Sequence, residues 1–355
     1  MITRLTTGKW QRLRSLTDEQ GRFKMLAIDQ RGSLASAIAR ATNKAPDQIT
    51  AQELIQAKAI ITKALAPYAT AVLTDPEYGY PQSIPFLPPR VGLLLASEES
   101  GYAKGGQTGK ERKTSLVKNW SVTQAQRAGA DAIKLLLYYH PDGSEGVLQH
   151  QQALAEQVGR ECAQADLPFL LELVSYPLEE ESSDSAQFAR RKPDLVIRSA
   201  TEFGKSRYQV DILKLEFPAD LKWTKEFCSG AFDGKERSPV YSLTDVQEYC
   251  RQLDGASQTP WVILSAGVDI NEFLLQVELA TEAGASGFLC GRANWKDAVS
   301  LYSDHTLMEK WLIKHGAYNF ERANAYASQA LPWFNHHRFR ISGQQPDLDP
   351  IIKQR

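Results

Sequence analysis

VDILKLEFP, residues Val210–Pro218, alternates charged and apolar side chains along an otherwise hydrophobic run. In a strand, period two puts Ile212, Lys214 and Glu216 on one face and Leu213, Leu215 and Phe217 on the other. If the apolar face packs on helices, Lys214 and Glu216 point into a sheet closed on itself. Two more runs read the same way. DAIKLLLYY (Asp131–Tyr139) sends Ala132, Lys134 and Leu136 inward, and PFLLELVSY (Pro168–Tyr176) sends Leu170, Glu172 and Val174 inward. In KMLAID (Lys24–Asp29), Asp29 shares a face with Met25 and Ala27, and Gln30 and Arg31 open the following loop. Charges from several strands thus converge on one axis.

Working outward, strand-length apolar runs recur at Lys24, Ala71, Val91, Ala132, Phe169, Asp211, Trp261 and Gly287. Stretches with helical spacing separate most of them, as at 50–68, 119–128, 146–165 and 271–283. Eight strands alternating with helices predict an α/β chain folded as a (β/α)8 TIM barrel, a single domain with C-terminal helices. No GxGxxG turn follows the first strand, which removes the usual mark of a doubly wound open sheet. The expected layout is an N-terminal segment over 1–20, the barrel over 21–315, and a C-terminal helix and tail over 316–355. Within the last part of the chain, Ser303–His315 and Asn319–Leu331 read as two helices, and the polar tail to Arg355 as peripheral.

The composition is that of an ordinary globular protein, 43% hydrophobic and 23% charged, with a net charge of -1. That balance gives no overall electrostatic drive toward nucleic acid or an anionic membrane, and leaves small anions as partners. No apolar run reaches the ~18 residues of a bilayer span, and the N-terminus has no secretory h-region, so a cytoplasmic location is expected. Cys162, Cys228, Cys250 and Cys290 form no CxxC pair. The six histidines show no metal-ligand spacing; only His140 lies near a strand end, and it reads as a surface loop residue. No metal or cofactor is expected.

Lys and Glu are seldom buried unless paired, so the inward charges could form a structural ion-pair network. Their position near the C-terminal ends of strands favours chemistry instead, because barrel enzymes work at that face. A lysine with the ordinary pKa of about 10.4 is a free amine only about once in a few thousand molecules at pH 7, and only the amine attacks a carbonyl. Lowering it to ~7.5 costs about 4 kcal/mol of ammonium destabilisation, which burial and a nearby cation can supply. Lys214 therefore reads as a nucleophile, Lys134 as its electrostatic tuner, and Glu172 as a proton carrier.

The seventh strand ends in LSAGV (Leu264–Val268) and the eighth in CGRANW (Cys290–Trp295). Loops after these two strands often hold phosphate in barrels, which makes Ser265, Gly267, Gly291 and Arg292 candidate anion ligands. Arg292 supplies a forked cation suited to phosphate oxygens. The stretch GYAKGGQTGKERKTS (Gly101–Ser115) is not a P-loop, because Glu111 follows Gly109-Lys110 where Ser or Thr is required. It reads as a solvated basic loop at the active face, or a lid.

Taken together, AIDQRGSL (Ala27–Leu34), LTDPEYGYP (Leu73–Pro81), GLLLASEESGY (Gly92–Tyr102), GADAIKLLLYY (Gly129–Tyr139), PFLLELVSY, DILKLEFP, LSAGV and GFLCGRANW resemble the LacD-type class I tagatose 1,6-bisphosphate aldolases. The resemblance implies a homodimeric, cofactor-free barrel that cleaves tagatose 1,6-bisphosphate to dihydroxyacetone phosphate and glyceraldehyde 3-phosphate, with fructose 1,6-bisphosphate and epimers as further substrates. It further implies an imine on Lys214, Lys134 as second active-site lysine, Glu172 as acid/base, and Asp29, Gln30 and Arg292 in substrate binding, to which Arg31, at the start of the same loop, is added as a candidate. Related barrels with a similar DQRGSL start act on sulfonated or other phosphorylated ketoses. An isomerase, or a non-catalytic barrel that binds sugar phosphates, remains open at this level.

Overall fold

Each of the eight apolar runs is a strand in the computed structural model, which describes residues 5–178 and 182–339 and the backbone of 348–349. The strands are β1 (Phe23–Ala27), β2 (Ala71–Thr74), β3 (Gly92–Ala96), β4 (Ala132–Tyr138), β5 (Phe169–Val174), β6 (Ile212–Leu215), β7 (Trp261–Leu264) and β8 (Gly287–Cys290). They close into one barrel in chain order, with every neighbour parallel and β8 returning to β1 through Leu289↔Met25. The outer layer and flanks are helices α1 (Thr7–Ser15), α2 (Gly32–Thr42), α3 (Ala51–Leu65), α4 (Val122–Arg127), α5 (Glu145–Gln164), α6 (Ala186–Phe203), α7 (Leu243–Ala256), α8 (Ile270–Ala283), α9 (Arg292–Val299), α10 (His305–Trp311) and α11 (Ala317–Tyr326).

Local chemistry sets several of the helix starts. Thr50 with Glu53, Ser121 with Gln124, and Ser242 with Asp245 form reciprocal capping boxes before α3, α4 and α7, each satisfying backbone N–H groups that the first turn leaves free. Helices α2, α6, α7 and α9 were not marked out by the sequence pattern. In α6 an interior proline, Pro193, interrupts the periodic reading, although the helix continues through it.

Alternation along the strands fills the barrel in layers. Met25, Leu73, Leu94, Leu170, Ile212 and Val262 form a buried apolar floor inside it, while the opposite faces of the strands join the helices in the larger core. Register then fixes the charges above that floor. Glu172 pairs directly with Lys214 across the β5–β6 ladder, and Lys134 on β4 pairs with Leu170, two residues earlier on β5.

The C-terminal region departs from the sequence reading twice. The two expected helices are one helical run, because a π-turn over Leu312–Gly316 joins α10 to α11. Gly316 does not break the helix. It allows close packing there, since a Cβ would lie 3.1 Å from Leu65 Cδ2. The start of the tail is likewise not peripheral: Trp333 is fully buried and packs at a tilt against Trp10, centroids 4.8 Å apart, and with Phe339, Leu13 and Leu16 it extends the interior cluster at the N-terminal end of the barrel. Residues 340–347 and 350–355 of the tail lie outside the described residues, while Leu348–Asp349 pair parallel with Leu5–Thr6. No described helix is long and apolar enough to cross a membrane.

Candidate active site

A cavity of about 680 Å³ opens at the C-terminal ends of the strands. Lys134, Glu172, Lys214, Asp29, Gln30, Arg31, Ser265, Gly291 and Arg292 all line it, so residues far apart in the chain meet in one space. Gly267 lies just behind the wall. Its φ of 80° suits glycine, and a Cβ there would sit 3.3 Å from Arg292 Cζ, so the missing side chain makes room for the guanidinium.

At the centre stands Lys134, fully buried, with its Nζ hydrogen-bonded to Asp29 Oδ2 at 2.8 Å and to Glu98 Oε1. Its Nζ is also 2.9 Å from Glu172 Oε2, and the Nζ of Lys214 is 2.9 Å from the same oxygen. That one oxygen therefore bridges the two amines as an ion pair to each. Burial pushes the Lys134 pKa down, but Asp29, Glu172 and Glu98 outweigh it and hold the ammonium well above the ordinary lysine range. For Glu172, burial pushes up, yet Lys134 and Lys214 together keep it below the usual carboxylate range. The same contest at Asp29 ends far below that range, through Lys134 first and Lys214 second. Lys134 is therefore not a bare second cation beside Lys214, as strand alternation alone suggested. Three carboxylates surround it.

Glu98 is the member of this cluster that sequence reading missed. It follows β3 on the face of Leu94 and Ala96, continuing the strand's inward parity by one step, and its Oε2 accepts the Leu136 N–H at 3.1 Å. Arg31 lines the cavity with its donors committed, to Glu77 at 2.6 Å and to the Glu98 carbonyl. Arg292 differs: among the described residues it has no hydrogen bond or ion pair, so its fork is available to the cavity. Beside it, Lys296 donates to the carbonyls of Gly267 and Val268 at 2.9 and 3.0 Å, which pins the β7 loop against α9.

Two loop readings need correction. His140 is no surface residue: it is 1% exposed, packs edge-on against Tyr176, and has its pKa lowered by burial. The Gly/Lys-rich stretch is no plain solvated loop. Ala103–Gly105 and Glu111–Lys113 form an antiparallel hairpin over the mouth of the barrel, and its Arg112 reaches the cavity. Among the described residues no group of three or more His, Cys, Asp or Glu is arranged to hold a metal ion.

A closed parallel barrel with buried lysines bridged by a carboxylate at its C-terminal mouth has the frame of an enzyme acting on a small anionic carbonyl compound. Solved structures share that frame. The fructose-bisphosphate aldolase of Plasmodium falciparum superposes with a TM-score of 0.65 at 13% identity, covering 92% of this chain and 97% of that one. The fructose-bisphosphate aldolase of Slackia heliotrinireducens gives 0.55 at 16% identity, covering 90% and 89%. At such identities the likeness is one of fold.

Sequence relatives go further. The chain is 35% identical over 324 residues to tagatose 1,6-diphosphate aldolase 1 of Streptococcus mutans, covering 90% of this chain and 95% of the relative. It is 36% identical over 338 residues to tagatose 1,6-diphosphate aldolase 2 of Enterococcus faecalis, covering 94% and 97%. The model of the DeoC/LacD family aldolases matches residues 23–297. The chain belongs to that family and is an aldolase, a carbon–carbon lyase.

Proposed function

We propose that this aldolase is of class I, forming an imine between Lys214 and C2 of tagatose 1,6-bisphosphate and releasing dihydroxyacetone phosphate and glyceraldehyde 3-phosphate. Fructose 1,6-bisphosphate, the C4 epimer, is the second substrate to assay. The observation that carries the reading is Glu172 Oε2 held 2.9 Å from both Lys214 and Lys134 inside the cavity. The similarity to tagatose 1,6-diphosphate aldolases over nine-tenths of the chain supports the choice of sugar. The family resemblance supports a homodimer in the cytoplasm.

The resting carboxylate of Glu172 is the base for the first step. It takes a proton from the Lys214 ammonium, and the freed amine adds to the C2 carbonyl. Glu172 then returns that proton to the carbinolamine hydroxyl, which leaves as water to give the iminium. Deprotonation of the C4 hydroxyl by the regenerated carboxylate breaks the C3–C4 bond, with the electron pair flowing into the iminium to form an enamine. The aldehyde departs, C3 is reprotonated, and water hydrolyses the imine to free the ketone and Lys214. Throughout, Lys134 stays an ammonium that keeps Glu172 ionised between proton transfers.

Asp29 and Gln30 face the ketose hydroxyls in this reading. Ser265, Gly291 and Arg292, with Gly267 behind them, take the 1-phosphate, and Arg31 at the cavity wall braces the loops after β2 and β3 through Glu77 and the Glu98 carbonyl.

The test is borohydride reduction in the presence of dihydroxyacetone phosphate, followed by peptide mass mapping. One stable adduct on the peptide containing Lys214 is expected. An adduct on another lysine, or none, overturns the imine assignment.

A further inference from the structure

The hairpin leaves a guanidinium that the steps above do not use. Arg112 Cζ lies over three tyrosine rings, 4.6 Å from the centroid of Tyr102, 5.3 Å from Tyr138 and 4.9 Å from Tyr176. The rings brace one another, Tyr102 and Tyr138 meeting edge-on at 5.0 Å, and the Tyr176 hydroxyl accepts the Arg112 backbone N–H at 3.3 Å. Stacking on ring faces holds the cation in place and leaves its in-plane N–H donors to be met by something else. No carboxylate among the described residues pairs with it.

Lys192 of α6 also lines the cavity, likewise without an ion pair or hydrogen bond among the described residues. Acidic groups nearby are engaged elsewhere. Glu216 accepts from the Ser175 N–H and hydroxyl at 2.7 and 2.6 Å, Asp220 meets Lys222 at 3.6 Å, and Glu111 accepts the Ser144 N–H at 2.8 Å. The cavity thus has open cations at two separate places, Arg292 beside the β7 and β8 loops and Arg112 over Tyr138 and Tyr176 beyond β4 and β5, with Lys192, Lys214 and Glu172 also on its wall.

We infer that Arg112, held in its tyrosine cage and assisted by Lys192, is the clamp for a tetrahedral oxyanion on the end of the ketose remote from the 1-phosphate. The inference rests on the reading above that the 1-phosphate lies at Arg292. In the proposed substrate the oxyanion is the 6-phosphate. A planar fork fixed at one point favours substrates that carry a second anion at the correct chain length. The hairpin is then a specificity element, and Arg112 of the Gly/Lys-rich stretch gains a defined place in substrate selection.

Calorimetric binding of carbonyl-free ligands tests this apart from the imine, since a hexitol cannot form one. The probes are a hexitol 1,6-bisphosphate, the matching 1-phosphate, and the 1-phosphate carrying a 6-sulfonate, each measured on wild type, Arg112→Ala, Arg112→Lys and Lys192→Ala. In wild type the second anion should tighten binding about 10-fold or more, and Arg112→Ala should remove most of that gain, within the 10- to 150-fold range of a charge-assisted contact. Affinity for the 1-phosphate alone should shift less than about two-fold, Lys should restore part of the gain, and Lys192→Ala should lose a smaller share. Loss with the bisphosphate alone identifies a phosphate clamp, and equal loss with the sulfonate identifies a general oxyanion clamp. No gain from the second anion in wild type, or equal weakening of all three ligands in Arg112→Ala, overturns the inference. Should Arg112→Ala fail to fold, Arg112→Lys and Lys192→Ala carry the same comparison. A clamp without a borohydride adduct would refute the imine and leave the clamp standing; an adduct without a clamp does the reverse.

Discussion

Lys58 and Lys134 are both completely buried and both paired with aspartate, yet burial wins at one and loses at the other. Lys58, on α3, meets one carboxylate, Asp75 at 2.7 Å, and otherwise donates to the backbone carbonyls of Ile28 and Gln30. Its pKa is lowered, with desolvation outweighing Asp75. Lys134 meets three carboxylates and is raised. One carboxylate does not offset full desolvation of an ammonium; three do. The closed pair ties α3 to the end of β1 and so fixes where Asp29 and Gln30 emerge. The cluster around Lys134 opens on the cavity and sets its charges.

The largest expected effect comes from breaking the open cluster with Lys134→Met. Three buried carboxylates lose their common cation, a change worth roughly 3–5 kcal/mol of stability at pH 7.5. Turnover should fall by roughly 10²-fold or more, because Glu172 loses the charge that keeps it ionised. The pH sign follows from the shifts. Asp29 and Glu172 are lowered in the wild type, so their pairing stabilises the fold above the unfolded carboxylate range near pH 4 and is lost only as pH falls through their still lower folded values. Without Lys134, burial is opposed only by the remaining cation Lys214, with Lys58 also near Asp29, and the two carboxylates should take up protons at a higher pH than in the wild type. The stability gap between variant and wild type should therefore shrink from pH 7.5 to pH 5 in urea unfolding. A constant gap would mean the carboxylates are not ionised around Lys134.

The comparison also separates what the sequence discloses from what it hides. Lys134, Glu172 and Lys214 are legible because they interrupt apolar strands, and period two assigns them a face without further information. All eight strands are legible for the same reason, since buried parallel strands are short apolar runs with breaks between them. Glu98 is hidden because it lies one residue past Ser97, outside the apolar run, in a stretch that reads as a polar loop. Lys58 is hidden because exposed lysines are ordinary in helices. Its signal was positional: Leu54, Lys58, Ile61 and Leu65 share one buried face of α3. Arg112 has no signal in its own strand of three residues, because the rings that cage it come from Tyr102, Tyr138 and Tyr176, brought together only by the fold.

Breaking the closed pair should cost similar stability and far less chemistry. Lys58→Met strands Asp75, which is fully buried, and is expected to lose roughly 3–5 kcal/mol. Adding Asp75→Leu should return much of that loss, since an apolar pair can replace a buried ion pair of like volume. In the same folded protein, turnover should stay within about 10-fold of wild type, well inside the 10²-fold expected for a lost general acid/base. Denaturant unfolding and steady-state assays on the single and double variants check both halves. Loss of turnover as deep as in Lys134→Met would erase the distinction between a closed and an open pair.

The smallest effect should sharpen the comparison, by moving Lys134 part of the way toward the condition of Lys58. Glu98→Gln keeps an oxygen that can accept the Leu136 N–H, and removes one of three negative charges from the ammonium. Stability should fall by roughly 1–3 kcal/mol, because the Leu136 N–H keeps its acceptor while the hydrogen bond from Lys134 is lost to the amide NH2. Glu98 is among the forces that raise the Lys134 pKa against burial, so its neutralisation should lower that pKa. The lysine then loses its proton at a lower pH, and the alkaline limb of kcat should move toward neutrality, with KM little changed. At pH 7.5, below that limb, Lys134 stays an ammonium and kcat should change little. Glu98→Asp, which keeps the charge at shorter reach, should move the limb less than Glu98→Gln does. An alkaline limb that stays in place in Glu98→Gln would reduce Glu98 to a cap on the Leu136 N–H, and would leave Asp29 and Glu172 sufficient to hold the ammonium.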